Sequence, residues 1–163
     1  MANYLNAGSL ATSSSVTSGS APPILTVTLA GTAVAPTLRR TKWYDILVGT
    51  NATPADAYLV FNVSRVTATS ANATIGVANP LDAADGVSVT VVGGAYTAGC
   101  SAITSSSTLW QVPINQRASY RWVAAPGSEL VTPATASNGL ALIAYGASAS
   151  GPACMGTVYW QEQ

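Results

Sequence analysis

The stretch DAYLVFNVSRVTATS, residues 56–70, decides how this chain is read. In an extended backbone successive side chains point to opposite faces. Leu59, Phe61 and Val63 then share one face, and Tyr58, Val60 and Asn62 the other. That period of two, carried by aromatic and β-branched residues, is the pattern of a strand. The same alternation recurs in ILTVTLA (24–30), GVSVTVVGG (86–94), TLWQVPI (108–114), RASYRWVA (117–124), GLALIAYGAS (139–148) and GTVYWQE (156–162). Between these runs lie GTNATPAD, ANPLDAADG, GGAYTAGCS, AAPGSE and ASNG, whose Gly, Pro, Asn and Asp residues favour turns. No stretch carries a helical pattern of three or more turns. Short strands at short spacing predict an all-β sandwich or barrel of about eight strands.

Residues 1–23 differ from the rest. They hold eight Ser or Thr, no charge, and end in APP. Apart from Tyr4, Leu5, Leu10 and Val16 they are not apolar in any periodic way, so they read as an extended N-terminal arm ahead of a β-sandwich domain at 24–163. Ordering such a segment costs about 1–2 kcal/mol per residue. The expectation is an arm held by a neighbouring subunit or another protein, with Tyr4, Leu5 and Leu10 as its anchors.

Charge is the unusual feature of the composition. Six basic and six acidic residues make 7% of the 163 residues, and they cancel to zero. Ordinary soluble proteins carry roughly 25%. A surface of Ser, Thr, Asn, Gly and Ala with no net charge favours association. Nucleic acid is not an expected partner, because binding phosphates takes a concentration of Lys and Arg. Here the one cluster is Arg39, Arg40 and Lys42, with Asp45 close behind. The N-terminus lacks a basic region followed by an apolar one, so no standard secretory signal is read there. The longest apolar-leaning run, ILTVTLAGTAVAPTL, is too short and too hydroxylated to span a membrane. Cys100 and Cys154 belong to no CxxC or Cys/His pattern, and their spacing leaves a disulfide and two thiols equally open.

Histidine is absent. That removes the usual neutral-pH base, the commonest metal ligand, and any Ser–His or Cys–His nucleophile. GASASG (146–151) is not a GxSxG elbow and reads as a turn. Asp82 and Asp85 lack the spacing of a calcium loop, and neither sits in a context for paired-carboxylate hydrolysis. Asx-capped turns account for Asn79-Pro80 and Asp85-Gly86. The N-x-S/T triplets at Asn51, Asn62 and Asn72 are expected by chance in so hydroxylated a chain. No catalytic, metal or cofactor residue is assigned, and the chain is not expected to be an enzyme.

The segment NQRASYRWVAAPGSEL (115–130) concentrates Arg117, Arg121 and Glu129 beside Tyr120 and Trp122. Alternation places Arg117, Ser119 and Arg121 on one face, with the two arginines about 7 Å apart. Glu129 follows the APG break and can return beside them. This reads as a structural constellation that fixes strand or subunit register. Trp43 and Tyr44, next to the basic cluster, are read as a subunit contact, or with Trp110 as a stacking platform for sugar.

The blocks LRRTKWYDILVGTNATPADAYLVFNVSRVTA, NPLDAADG, PINQRASYRWVAAPGSELVTPATASNGLAL and VYWQE resemble small structural proteins of tailed bacteriophages, capsid cement (decoration) proteins among them. The resemblance covers roughly residues 37–163 and is most specific at QRASYRWVAAPGSELV and NPLDAAD. It implies a virion setting and supplies no site residues. By analogy of fold it implies a jelly-roll-like β-sandwich forming a homotrimer. The resulting expectation is a cement protein on the outer capsid surface, binding itself and the major capsid protein, with no cofactor, nucleic acid or membrane. A tail or fibre module and a carbohydrate-binding β-sandwich are the alternatives.

Overall fold

The computed structural model describes residues 1–10, 24–30, 39–52, 54–68, 74–75, 78–94, 103–146 and 153–163. Twelve strands and no helix occur among them: β1 (Asn3–Leu10), β2 (Ile24–Ala30), β3 (Thr41–Ala52), β4 (Tyr58–Ala68), β5 (Thr74–Ile75), β6 (Asn79–Pro80), β7 (Thr90–Gly94), β8 (Ile103–Asn115), β9 (Tyr120–Val123), β10 (Leu130–Val131), β11 (Asn138–Gly146) and β12 (Ala153–Glu162). They form two antiparallel sheets. The front sheet runs β10-β3-β12-β1-β6, with β9 also paired to β3, and the back sheet runs β5-β7-β2-β11-β4-β8. The count exceeds the expected eight because β5, β6 and β10 are two-residue bridges and β7 is a further short strand.

The pairing has a simple logic. β1 pairs β12, β2 pairs β11, β3 pairs β9 and β4 pairs β8. The chain therefore behaves as one long antiparallel hairpin, with successive pairs assigned to alternate sheets. The core lies between the sheets. Trp43, Ile46, Val48, Val158 and Trp160 enter it from the front, and Leu59, Phe61, Val63, Leu140 and Leu142 from the back. The alternation read in residues 56–70 holds: Leu59, Phe61 and Val63 are all fully buried.

The expected arm is corrected over its first ten residues. β1 is an inner strand of the front sheet, flanked by β12 and β6. Tyr4, proposed as an arm anchor, is a core residue whose ring lies 5.9 Å from that of Trp160. Leu5 is half-buried, and the side chain of Leu10 lies outside the described residues, as do residues 11–23. The physical reason is that the inward positions of β1 are Tyr4, Asn6 and Gly8, which give no apolar alternation. Asn6 is accommodated in the interior by donating Nδ2–H to the Gly93 carbonyl at 3.3 Å.

β3 carries a bulge. Trp160 opposes Trp43 and Tyr159 opposes Asp45, so Tyr44 is an extra residue. The inward set switches from Thr41 and Trp43 to Ile46 and Val48. Tyr44 and Asp45 are both left on the outer face, where the Tyr44 ring meets Tyr159 at 6.4 Å. In β11 Leu140 to Ala144 are all buried, so both of its faces are covered. Asn79-Pro80, expected to cap a turn, instead pairs with Leu5 and Tyr4 as β6.

Candidate contact surface

The outer face of the front sheet carries Tyr44, Arg121 and Glu129 from among the residues singled out in the sequence. Its central feature is an ion pair made possible by the β3 bulge. Arg121 stands opposite Leu47 on the neighbouring β9 and reaches diagonally to Asp45. Its Nε lies 3.0 Å from Oδ1, and its Nη2 lies 2.5 Å from Oδ2. The guanidinium side chain is 64% exposed while the carboxylate side chain is 8% exposed. Two parallel N–H bonds to one carboxylate fix both groups. The Asp45 hydrogen bond and charge hold the Arg121 guanidinium protonated beyond its ordinary range.

Apolar side chains share this face with the pair. Leu47 on β3, Val123 on β9 and Met155 on β12 are all exposed. Toward the other end of the face the surface turns polar. Asn3, Lys42, Tyr44, Glu129 and Gln161 line a shallow cleft of about 330 Å³. Gln161 donates to the Asn3 side-chain oxygen at 3.3 Å. Burial raises the Tyr44 hydroxyl above 10.0, and the charge of Asp45 adds to it.

Arg117, Arg121 and Glu129 are not brought together as expected. The strand starts at Tyr120, so Arg117 sits in the preceding turn and pairs instead with Asp56 at 2.6 Å. Glu129 accepts the Gly127 N–H at 3.2 Å across the tight turn that Gly127 permits with φ of 85°. Hydrogen bonds from its own N–H and from that of Gly127 hold the Glu129 carboxyl below 4.5. Trp43 is 0% exposed and cannot stack on a sugar. Trp110 is half-buried against Tyr120 and Trp122, at 6.0 and 6.2 Å, where the edges of the two sheets meet. The rings are tilted to one another and form a seam rather than a flat platform. Arg39 and Arg40 are exposed, and Arg40 exchanges both backbone hydrogen bonds with Gln163. Asn62 is buried and donates to Thr108, which leaves it closed to modification. Asn51 lies in β3 with its side chain outside the described residues; Asn72, Cys100 and most of GASASG lie outside them altogether. Cys154 is buried.

Sequence reasoning missed a second polar centre, at the β6 edge of the same sheet. Glu162 is 2% exposed. Its Oε1 accepts the Ser88 hydroxyl and the Thr90 N–H, the latter at 3.0 Å, while Oε2 takes the Val89 N–H at 3.4 Å. Tyr4 donates its hydroxyl to the Gly86 carbonyl at 2.9 Å, and the Asn3 N–H reaches Asp85 Oδ2 at 3.3 Å. The Asx turn here falls at Asp82, which accepts the Ala84 N–H at 2.9 Å, rather than at Asp85-Gly86 as expected. The loop 81–89 is thereby pinned from its inner side. Its exposed large apolar side chains are Leu81, Val87 and Val89, and Val87 is 95% exposed. Burial raises the Tyr4 hydroxyl above 10.0, with Glu162 and then Asp85 adding to it and Arg39 opposing. The available signal was the period-two placement of Glu162 in GTVYWQE, on the same face as Val158 and Trp160.

No group of three or more potential metal ligands occurs among the described residues. Comparison of the chain with family models, curated proteins and solved structures returned no match.

Proposed function

We propose that this chain is a structural virion protein, a capsid cement (decoration) protein that binds and stabilises the major capsid protein shell of a tailed phage. The observation that carries the reading is the outer face of the front sheet. It exposes Leu47, Val123 and Met155 around an ion pair on a chain of zero net charge. A monomer gains nothing from such a face in water, whereas a protein that works by covered area does. The resemblance of residues 37–163 to phage structural proteins points to the virion as the place where that area is covered.

The finer fold is read as a jelly roll. The orders β1-β12-β3-β9 and β2-β11-β4-β8 are those expected when a long antiparallel hairpin rolls into two four-stranded sheets. Capsid domains commonly use that architecture. The protein acts as a homotrimer whose three faces engage the shell together, so that avidity supplies the retention.

The test is cosedimentation with shells assembled from the major capsid protein of the same phage. Saturable binding at a fixed ratio per capsomer, with shells made more resistant to heat, is the expected result. No cosedimentation at micromolar protein rejects the reading. A carbohydrate-binding role loses its main support with Trp43 in the core.

A further inference from the structure

The polar cleft lies at the Lys42 end of β3, about 15 Å along the strand from Leu47. Its volume of about 330 Å³ falls at the low end of the range for small-ligand sites. Strand pairing explains its lining. Asn3 of β1 stands opposite Gln161 of β12, and Gln161 stands opposite Lys42 of β3. Glu129, just ahead of β10, completes the row. Gln161 spends an Nε2–H on the Asn3 side-chain oxygen. That leaves Asn3 as a donor through Nδ2 and Gln161 as an acceptor through Oε1. Lys42 Nζ then donates, and the Glu129 carboxylate accepts. The row therefore alternates donor and acceptor across the sheet. Among the described residues the Lys42 ammonium and the Tyr44 hydroxyl have no protein partner, and Lys42 forms no ion pair with Glu129 although both line the cleft.

We propose that this cleft binds a neutral saccharide. Its one cation and one anion cancel, which favours a ligand without net charge over a phosphate or an amine. A sugar hydroxyl donates and accepts at once. Neighbouring hydroxyls can therefore follow an alternating row, and one of them can bridge the gap between Lys42 and Glu129. At neutral pH the Glu129 carboxyl is ionised and accepts, since hydrogen bonds from its own N–H and that of Gly127 hold it below 4.5. Burial keeps the Tyr44 hydroxyl protonated, so it donates. The Tyr44 ring supplies the flat surface for sugar C–H groups. It takes the part that Trp43 cannot play from the core. The β3 bulge puts Tyr44 on the outer face, and the Tyr159 ring at 6.4 Å backs it. The bond from Gln161 to Asn3 sets both amides before the ligand arrives, which reduces the ordering cost. A shallow cleft with one ring gives weak binding, in the millimolar range. The site is additional to the apolar area assigned to the shell and does not rest on that reading.

The experiment titrates the full-length protein with maltohexaose, cellohexaose and chitotetraose, and follows amide resonances by NMR. At least one sugar is expected to give saturable shifts at Asn3, Lys42, Tyr44, Glu129 and Gln161, including the side-chain amides of Asn3 and Gln161. Tyr44→Ala and Gln161→Ala should each weaken that binding by about tenfold, while Met155→Ala on the apolar area leaves it unchanged. Thermal melts check that the variants are folded, and Gln161→Ala carries the test if Tyr44→Ala is not. Glycylglycine, a zwitterion that could answer Lys42 and Glu129 by charge alone, should leave these resonances in place. The inference is overturned if no sugar shifts them, if the shifts fall outside the cleft, or if the folded variants bind as tightly as wild type. It is also overturned if glycylglycine acts at concentrations equal to or below those of the sugars. Sugar binding without cosedimentation defeats the shell reading alone, and cosedimentation without sugar binding defeats this one alone.

Discussion

Asp45 and Glu162 are both buried carboxylates of the front sheet, and the fold satisfies them in different ways. Asp45 on the outer face is held by a charged group, the exposed guanidinium of Arg121. Glu162 on the inner face is held by neutral donors, the Ser88 hydroxyl and the N–H groups of Val89 and Thr90. The difference decides what each acid does. Arg121 can return to water when its partner is lost. Thr90 is buried, and its N–H loses its charged acceptor and keeps the Ser88 oxygen if the carboxylate goes. The first pair therefore shapes a surface, and the second holds a loop.

The comparison predicts a ranking. Glu162→Ala is expected to cost most, about 2–3 kcal/mol, because it removes a charged acceptor from donors turned inward. Urea unfolding measures this, and faster proteolysis within 81–89 should accompany it. Arg121→Ala comes next, since it strands a carboxylate that is 8% exposed. Asp45→Ala costs less, about 1 kcal/mol, since the guanidinium it releases is already mostly hydrated. Added salt should narrow the gap between wild type and the Asp45 variant and leave the Glu162 effect unchanged. Equal costs for Glu162→Ala and Asp45→Ala would break the distinction.

Each carboxylate also has a tyrosine beside it. Burial raises Tyr4, with Glu162 the next cause, and burial raises Tyr44, with Asp45 the next. Glu162→Gln should lower the pKa of Tyr4 and leave Tyr44 in place, and Asp45→Asn should do the reverse, as followed by NMR titration of the rings. A raised pKa in the folded state means that the folded protein holds the proton more tightly than the unfolded chain. This stability is fully present below 10.0 and is lost as pH climbs through the raised values. Both substitutions should therefore shrink the alkaline loss of stability. Crossed shifts, with Tyr44 answering to Glu162, would show that the two centres are not separate.

How much of this was legible follows from which faces carried apolar residues. β4 and β12 announced themselves, because Leu59, Phe61 and Val63, and Val158 and Trp160, repeat every second residue. β1 was hidden because its inward side chains are Tyr4, Asn6 and Gly8, while Leu5 lies on the opposite face. The bulge at Tyr44 broke the period of β3, so KWYDILV gives no clean alternation although the strand is twelve residues long. The arginine stretch was readable as one strand face only at Arg121, because the backbone becomes a strand at Tyr120. Nothing local told Arg121 to choose Asp45 over Glu129. That choice is made by the pairing of β9 with β3, a contact between residues 76 positions apart. Glu162 was equally silent, because its partners come from a loop more than seventy residues away.

The smallest expected effect concerns Glu129, the acid once expected beside the arginines. It is held by backbone hydrogen bonds at its own N–H and that of Gly127, with Lys42 contributing, and these lower its pKa below 4.5. A lowered pKa in the folded state contributes stability that is present above 4.5 and is lost as pH falls through the folded value. Glu129→Gln should leave stability near pH 7 almost unchanged, because an amide oxygen can still accept the Gly127 N–H. It should also flatten the decline between pH 4.5 and the lowered value. NMR titration of the Glu129 carboxyl, with urea unfolding across the same range, measures both. If Glu129→Gln instead lowers stability as much as Arg121→Ala, then Glu129 belongs with the buried carboxylates, and the front face carries two charged centres rather than one.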